Sequence, residues 1–278
     1  MDKLPISVIV ITKNSEQDIN KCLLSIKNNN PAEIILVDGN STDKTIEIAH
    51  NYTDKIYFDN GRGESFARQL GAEKANQKYI SYVDSDAVLT EGALSSMLFE
   101  FIDSEYISIK AIVFPGGKIT NYWQWGQEQH RKFRNVENNI GTLACIFKRD
   151  TILKFQFDLS PRGLLDDSDL EYRLKKNGYK FGTSSAIVFH PHRATFKEFV
   201  KRRFKDGRGM SRFIRKNGPW HKSVWPPLHM CYWIGISLIK GKPKLIPYFI
   251  VNGTTQTAGM IKGFFEISAE AFHKNIYH

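Results

Sequence analysis

Three times before residue 86, an apolar run breaks into a polar loop. Ile6 to Ile11, rich in β-branched residues, ends in Thr12-Lys13-Asn14. Glu33 to Val37 ends in Asp38-Gly39-Asn40-Ser41-Thr42-Asp43, and Tyr79 to Val83 ends in Asp84-Ser85-Asp86. Helical patterns lie between these runs. Ile19, Cys22, Leu23 and Ile26 recur at i, i+3, i+4 and i+7 after a Ser15-x-x-Asp18 start signal, residues 42–51 follow in the same way, and Gly61-Arg62-Gly63 opens a helix from Glu64 to Asn76. The alternation predicts an α/β fold with a mostly parallel central sheet flanked by helices. Its loops collect at one edge, so Thr12, Asp38, Asp84 and Asp86 meet in one crevice.

The pattern continues downstream. Gly141-Thr142 precedes an apolar strand, Leu143 to Phe147, and a helix opens on Asp166, Asp167, Asp169 and Glu171 and stops at Gly178. Another strand runs into Val188-Phe189-His190-Pro191-His192-Arg193. Phe196, Phe199, Val200 and Phe204 then form one helical stripe among basic residues. Tyr122, Trp123 and Trp125, followed by a charged stretch through Asn139, offer faces for sugar stacking, though core packing explains each of them singly.

From Ser223 to Ile239 and from Leu245 to Ile261 the chain has no Asp, Glu, Lys or Arg, and Lys240-Gly241-Lys242-Pro243-Lys244 separates the two stretches. A spanning helix needs ~20 mostly apolar residues. These stretches are shorter and interrupted, so a helical tail in peripheral contact with an anionic membrane is expected. Completion of the core, or a homodimer interface, is the alternative.

The formal net charge of +10 points to an anionic partner: a nucleotide phosphate, a nucleic acid or an acidic membrane surface. Cys22, Cys145 and Cys231 have no framework or zinc spacing, which fits a reducing cytosol. Ile6 to Ile11 is too short for a signal-peptide core, so a cytoplasmic protein is expected, at the inner face of the cell membrane if the tail docks there.

Two carboxylates at the carboxyl end of a buried strand suit a hard divalent cation, Mg²⁺ or Mn²⁺, that carries phosphates. Asp-Ser-Asp is also ordinary turn chemistry. Four acidic residues opening one helix exceed what the helix dipole favours.

Taken together, Ile-Ser-Val-Ile-Val-Ile-Thr-Lys-Asn, Ile-Ile-Leu-Val-Asp-Gly-Asn-Ser-Thr-Asp-Lys-Thr and Val-Asp-Ser-Asp resemble the amino-terminal half of the family 2 inverting glycosyltransferases of the GT-A fold. The resemblance covers roughly residues 5–205 and departs from the usual motifs at Lys13 and Gly39-Asn40. It implies transfer of a sugar from a UDP- or GDP-linked donor to a glycan or polyprenyl-phosphate-linked acceptor, in cell-envelope or glycan biosynthesis. It implies a domain at 1–205, with a nucleotide-binding half to about residue 115 and an acceptor half from 116, followed by a helical tail at 206–278.

For the nucleotide sugar it implies Thr12, Asn14, Asp38, Ser41, Asp84, Ser85 and Gly141, with Arg68 of Ala67-Arg68-Gln69-Leu70-Gly71 beside the nucleotide and Arg202 and Arg203 as phosphate clamps. Asp86 is the implied metal ligand, assisted by Asp84, with His190 first and His192 second as a further ligand. Aligned on Asp169-Leu170, the family's general base falls on Asp167, with Asp166 beside it.

A sugar nucleotidyltransferase needs a Gly-rich loop after the first strand, where this chain has Thr12-Lys13-Asn14-Ser15. A catalytically silent nucleotide-sugar-binding protein would not need Asp84, Asp86 and Asp167 together. The interleaved acids argue against a nucleic-acid groove, and the absence of an early Gly-x-Gly-x-x-Gly argues against a dehydrogenase.

Overall fold

The computed structural model of the protein describes residues 2–134, 141–159, 165–192, 195–218 and 225–276. Asn139, Arg193 and Ser223 lie outside the described residues. The chain forms two compact units, one of Met1–Lys118 and Asn135–Pro191, the other of Ile119–Arg134 and His192–His278.

The first unit is built on one 8-stranded sheet of order β3-β2-β1-β4-β7-β6-β8-β5. Strands β1 (Leu4–Thr12), β2 (Pro31–Asp38), β3 (Ile56–Phe58) and β4 (Tyr79–Asp84) pair in parallel. In the other half, β7 (Ala144–Lys148) runs antiparallel to β4 and to β6 (Ser108–Pro115). The last strand, β8 (Phe181–His190), is parallel to β6 and antiparallel to the short β5 (Val88–Leu89). The sheet is mostly parallel, as expected, with four parallel pairings and three antiparallel ones that all lie in its second half.

Both faces of the sheet are covered, which is why its strands read as continuous apolar runs. Alternate residues of β1 sort into two cores: Ile6, Val8 and Val10 pack with Ile19, Cys22, Leu23 and Ile26 of α1 (Ile19–Asn28) and with Leu94, Met97 and Phe101 of α4 (Ala93–Ile102). Ile9 joins the opposite core, with Ala67 and Ala72 of α3 (Glu64–Lys74), Ile152 of α6 (Arg149–Phe155), and Leu170 and Leu174 of α7 (Asp166–Lys176). The short α2 (Thr45–Ala49) follows β2.

The second unit is helical: α5 (Tyr122–Phe133), α8 (Phe196–Asn217), α9 (Pro226–Ile239) and α10 (Ile246–Ile276). The expected boundary after residue 205 falls inside α8, which is one continuous helix, and α5 belongs to this unit although it comes from the middle of the chain. Its core is aromatic. Phe199, Trp233, Leu245, Tyr248 and Phe249 are buried, Trp123 and Trp125 pack against them, and Trp123 stacks on Phe199 at 5.3 Å between centroids. Trp123 and Trp125 are thus core residues in part. Tyr122 is a strut: its hydroxyl donates to Lys244 O (2.8 Å) and accepts from Tyr248 N (3.1 Å). Among the described residues no helix is long and apolar enough to cross a membrane.

Glycine sets the approach of α8 to α10. A Cβ on Gly207 would stand 2.0 Å from Gln256 O, and one on Gly259 2.2 Å from Phe204 O. Neither contact is with a side chain that can rotate away. Gly259→Ala is therefore expected to push the two backbones apart and destabilise the unit by ~1–3 kcal/mol. A urea titration read by circular dichroism checks this; an unchanged midpoint would mean the helices are not in register through these glycines.

Candidate active site

The carboxyl ends of the parallel strands gather the residues expected there. Parallel register sets Thr12 opposite Asp38 and Ile11 opposite Asp84. Asp38 is fully buried, and its carboxylate accepts from Ser41 N (2.7 Å) and Ser41 Oγ (2.5 Å). The loops are laced together by Asn14 N donating to Ser41 Oγ (2.8 Å), by Thr42 N donating to Asn14 Oδ1 (2.9 Å), and by a Ser15–Ser85 hydroxyl contact of 3.0 Å. Asn14 and Asn40 take left-handed φ of 50° and 61°, which asparagine tolerates better than most side chains. Thr12 Oγ1 is buried with no hydrogen-bond partner among the described residues.

The second cluster follows from the antiparallel pairing of β5 with β8. Val88 lies opposite Phe189, so Asp86, just before β5, comes beside His190, the last residue of β8. His190 Nε2 is 3.1 Å from Asp86 Oδ1. One ligand atom from each of Asp84, Asp86 and His190 can be chosen so that all three lie within 4.8 Å of one another. Two ligands at about 2.1 Å from a common ion stand about 3 Å apart when adjacent and about 4.2 Å apart when opposite, so this donor set fits Mg²⁺ or Mn²⁺. Gly116 permits the close passage of β6, since a Cβ there would sit 3.0 Å from the His190 carbonyl carbon. Gly141, partly buried, lies just upstream of Leu143, whose carbonyl accepts from Asp84 N at 3.0 Å.

Arg68, expected beside the nucleotide, lies next to Asp84 with its guanidinium turned to two carboxylates. It is 7% exposed, with Nη1 2.6 Å from Asp166 Oδ2 and Nη2 3.8 Å from Asp84 Oδ1. Burial opposes its charge, but the carboxylates, Asp166 foremost and then Asp84, outweigh that and hold its pKa above the ordinary arginine value. Burial also pushes the Asp84 carboxyl upward, against the opposing pull of Arg68 and His190. The Tyr82 hydroxyl donates to Arg68 O at 3.1 Å and fixes the backbone there.

The four acidic residues of α7 separate by partner. Asp166 holds Arg68, Asp169 holds Arg173 (2.8 Å) and Glu171 holds Lys175 (2.5 Å). Asp167, partly buried, accepts from Ser168 N at 2.7 Å in the first turn. Leu165 enters this helix at φ 63°, a strained left-handed conformation for a bulky side chain.

Three further expectations are placed elsewhere. His192 Nε2 is 3.1 Å from Glu128 Oε2, and Glu128 also binds Arg131 at 2.7 Å. Burial alone would raise the Glu128 pKa, but hydrogen bonds from Arg131 and His192 and the charge of Lys132 bring it down to about 2. His192 is thus a partner of a buried glutamate and is not in the Asp84–Asp86–His190 set. Arg202 and Arg203 pair with Asp206 of their own helix at 3.1 and 3.0 Å, because i, i+4 and i, i+3 spacing brings these side chains together.

Sequence reasoning missed Asp59, which is buried and whose carboxylate accepts from Gly61 N (2.8 Å) and Gly63 N (3.1 Å), shaping the turn that leads into α3 and Arg68. The Asp59-Asn60-Gly61 string is a turn signature that could have flagged it.

Comparison with known proteins gives this geometry its family. Residues 7–155 match glycosyl transferase family 2, and the chain belongs to that family. An uncharacterized glycosyltransferase of Haemophilus influenzae is 37% identical over 101 residues, 34% of this chain and 40% of that protein. The first curated relatives are matched over about two fifths of their length or less. A dolichyl N-acetyl-alpha-D-glucosaminyl phosphate 3-beta-D-2,3-diacetamido-2,3-dideoxy-beta-D-glucuronosyltransferase of Methanococcus voltae is 24% identical, covering 76% of this chain and 74% of that protein. The structure of a mannosyltransferase from Pyrobaculum calidifontis in complex with GDP-Man and Mn²⁺ superposes with a TM-score of 0.61 at 17% identity, over 97% of this chain and 80% of that one. The fold is the GT-A fold, with a helical carboxyl-terminal region.

Arg68→Met leaves Asp166 and Asp84 without their shared cation. Breaking a buried pair from one side costs ~3–5 kcal/mol, so the variant is expected to lose that much folding stability in chemical denaturation. A stability equal to that of the unaltered chain would return Arg68 to the role of a surface contact for nucleotide.

Proposed function

We propose that the chain is an inverting, divalent-metal-dependent glycosyltransferase, moving a sugar from a UDP- or GDP-linked donor to a glycan or polyprenyl-phosphate-linked acceptor of the cell envelope. It works at the inner face of the cell membrane. The observation that carries this reading is the convergence of Asp84, Asp86 and His190 at the carboxyl edge of the sheet, joined through Arg68 to the helix that bears Asp167. The GDP-Man and Mn²⁺ of the Pyrobaculum mannosyltransferase support the donor and metal class, and the dolichyl phosphate in the name of the Methanococcus relative supports a lipid-linked acceptor.

Asp86 and His190 would hold the metal, with Asp84 as third ligand or as a contact to the donor ribose. When bound, Mg²⁺ or Mn²⁺ there offsets the charge that builds on the departing diphosphate. Thr12, Asn14, Asp38, Ser41 and Ser85 line the loops that receive the nucleotide, and Gly141 leaves room beside the donor sugar. Arg202 and Arg203, tied to Asp206, would have to exchange that carboxylate for phosphate if they clamp the diphosphate. Asp167 takes the proton from the attacking acceptor hydroxyl, which reaches the anomeric carbon on the face opposite the leaving group. Asp166 positions the start of α7 through Arg68.

Asp86→Asn should abolish metal-dependent nucleoside diphosphate binding in calorimetry with Mn²⁺ while the fold is kept. Undiminished affinity would remove the metal assignment.

Asp167→Asn is expected to lower turnover on an alcohol acceptor by at least ~10²-fold with donor affinity nearly intact. Asp166→Asn should instead lower the denaturation midpoint. Turnover that survives Asp167→Asn would point to an acceptor, such as a phosphate, that needs no strong base.

A further inference from the structure

The outward face of α9 is apolar along its whole length. Trp225, Leu228, Tyr232, Leu238 and Ile239 recur at helical spacing and are 40, 69, 55, 54 and 82% exposed. The opposite face is apolar as well, with Trp233 buried in the aromatic core. Helices that are apolar all round are ordinarily covered on all sides, and this one is covered on one. α10 continues the pattern, with Ile250, Ile261 and Phe265 exposed at 43, 50 and 71%.

Charge identifies what covers these faces. Between Asp206 and Glu266 the chain carries nine lysines and arginines and no acidic residue. Three of the nine, Lys240, Lys242 and Lys244, sit in the turn between α9 and α10, directly after Leu238 and Ile239. Lys240 and Lys244 are exposed, while Lys242 donates to Gln129 Oε1 at 2.6 Å. A second copy of this face would bring the positive charge of Lys240 and Lys244 against its own like, whereas an anionic lipid surface offsets it. Fourteen helical residues reach about 21 Å, short of a ~30 Å hydrocarbon layer, so the helix can lie in the interface but not cross it.

We infer that the outer face of α9, with the Lys240–Lys244 turn, is a docking surface for anionic phospholipid, laid in the plane of the headgroups. The inference rests on the membrane-side placement proposed above for its setting; its chemistry comes from exposure and charge alone. Interfacial helices bind through buried apolar area and through attraction of basic residues to anionic lipid together, and both are present here.

The test is flotation of the full chain with phosphatidylcholine vesicles, with and without phosphatidylglycerol. The unaltered chain should float only with the anionic vesicles. Leu228→Glu/Ile239→Glu should cut partitioning at least about tenfold, and Lys240→Gln/Lys244→Gln about 25-fold, at about fivefold per lysine. Both variants should keep their circular dichroism spectrum and their donor hydrolysis. A folded full chain that does not float, that floats equally on neutral vesicles, or whose Leu228→Glu/Ile239→Glu variant floats undiminished overturns the inference. So does sedimentation showing a dimer that this variant dissociates, because the face would then belong to a second copy. Flotation without donor hydrolysis would keep the surface and remove the transferase reading instead.

Discussion

A guanidinium with little access to water must be answered by carboxylate, and much of the first unit is arranged around that demand at Arg68. The side chain leaves α3, meets Asp166 at the start of α7 and approaches Asp84 at the end of β4. Three elements far apart in sequence are thereby tied at one point, between the strand that presents Asp84 and the helix that presents Asp167. The charge arrangement also leaves the Asp84 carboxyl raised: burial favours its protonated form more than Arg68 and His190 favour the carboxylate. Such a group is well placed to gain from a cation.

Strand register does the rest of the assembly. Parallel pairing of β1 with β2 and β4 aligns Thr12, Asp38 and Asp84 along one edge. Antiparallel pairing of β5 with β8 brings His190 to Asp86 across about a hundred residues of chain. A one-residue slip in either pairing would turn these side chains to the opposite face of the sheet. The cluster is therefore as rigid as the hydrogen-bond ladders that hold it, which suits a site that must present fixed charge.

The second unit follows different physics. Its helices approach through glycine at Gly207 and Gly259, so backbone contact replaces the usual interlocking of large side chains. Its aromatic core then leaves a surplus of apolar surface on α9 and α10 that the unit does not itself cover. Glu128, held ionised by Arg131, Lys132 and His192, is the main buried charge on α5.

The sequence by itself determined the alternation of strand and helix, the crevice at the carboxyl edge and the family, because period-2 and period-3.6 patterns and turn residues are local properties of the chain. It also named Asp84, Asp86 and His190, which the structure brings together, and Asp167, which it places in the first turn of α7, because their motifs lie at strand and helix ends. Tertiary structure alone decided that Arg68 faces two carboxylates, that His192 serves Glu128, that Arg202 and Arg203 answer Asp206, and that α5 joins the carboxyl-terminal helices. An arginine or histidine in a sequence announces a charge but not its partner. The partner is chosen by burial and by which distant element packs closest, and neither is encoded within a few residues of the side chain in question.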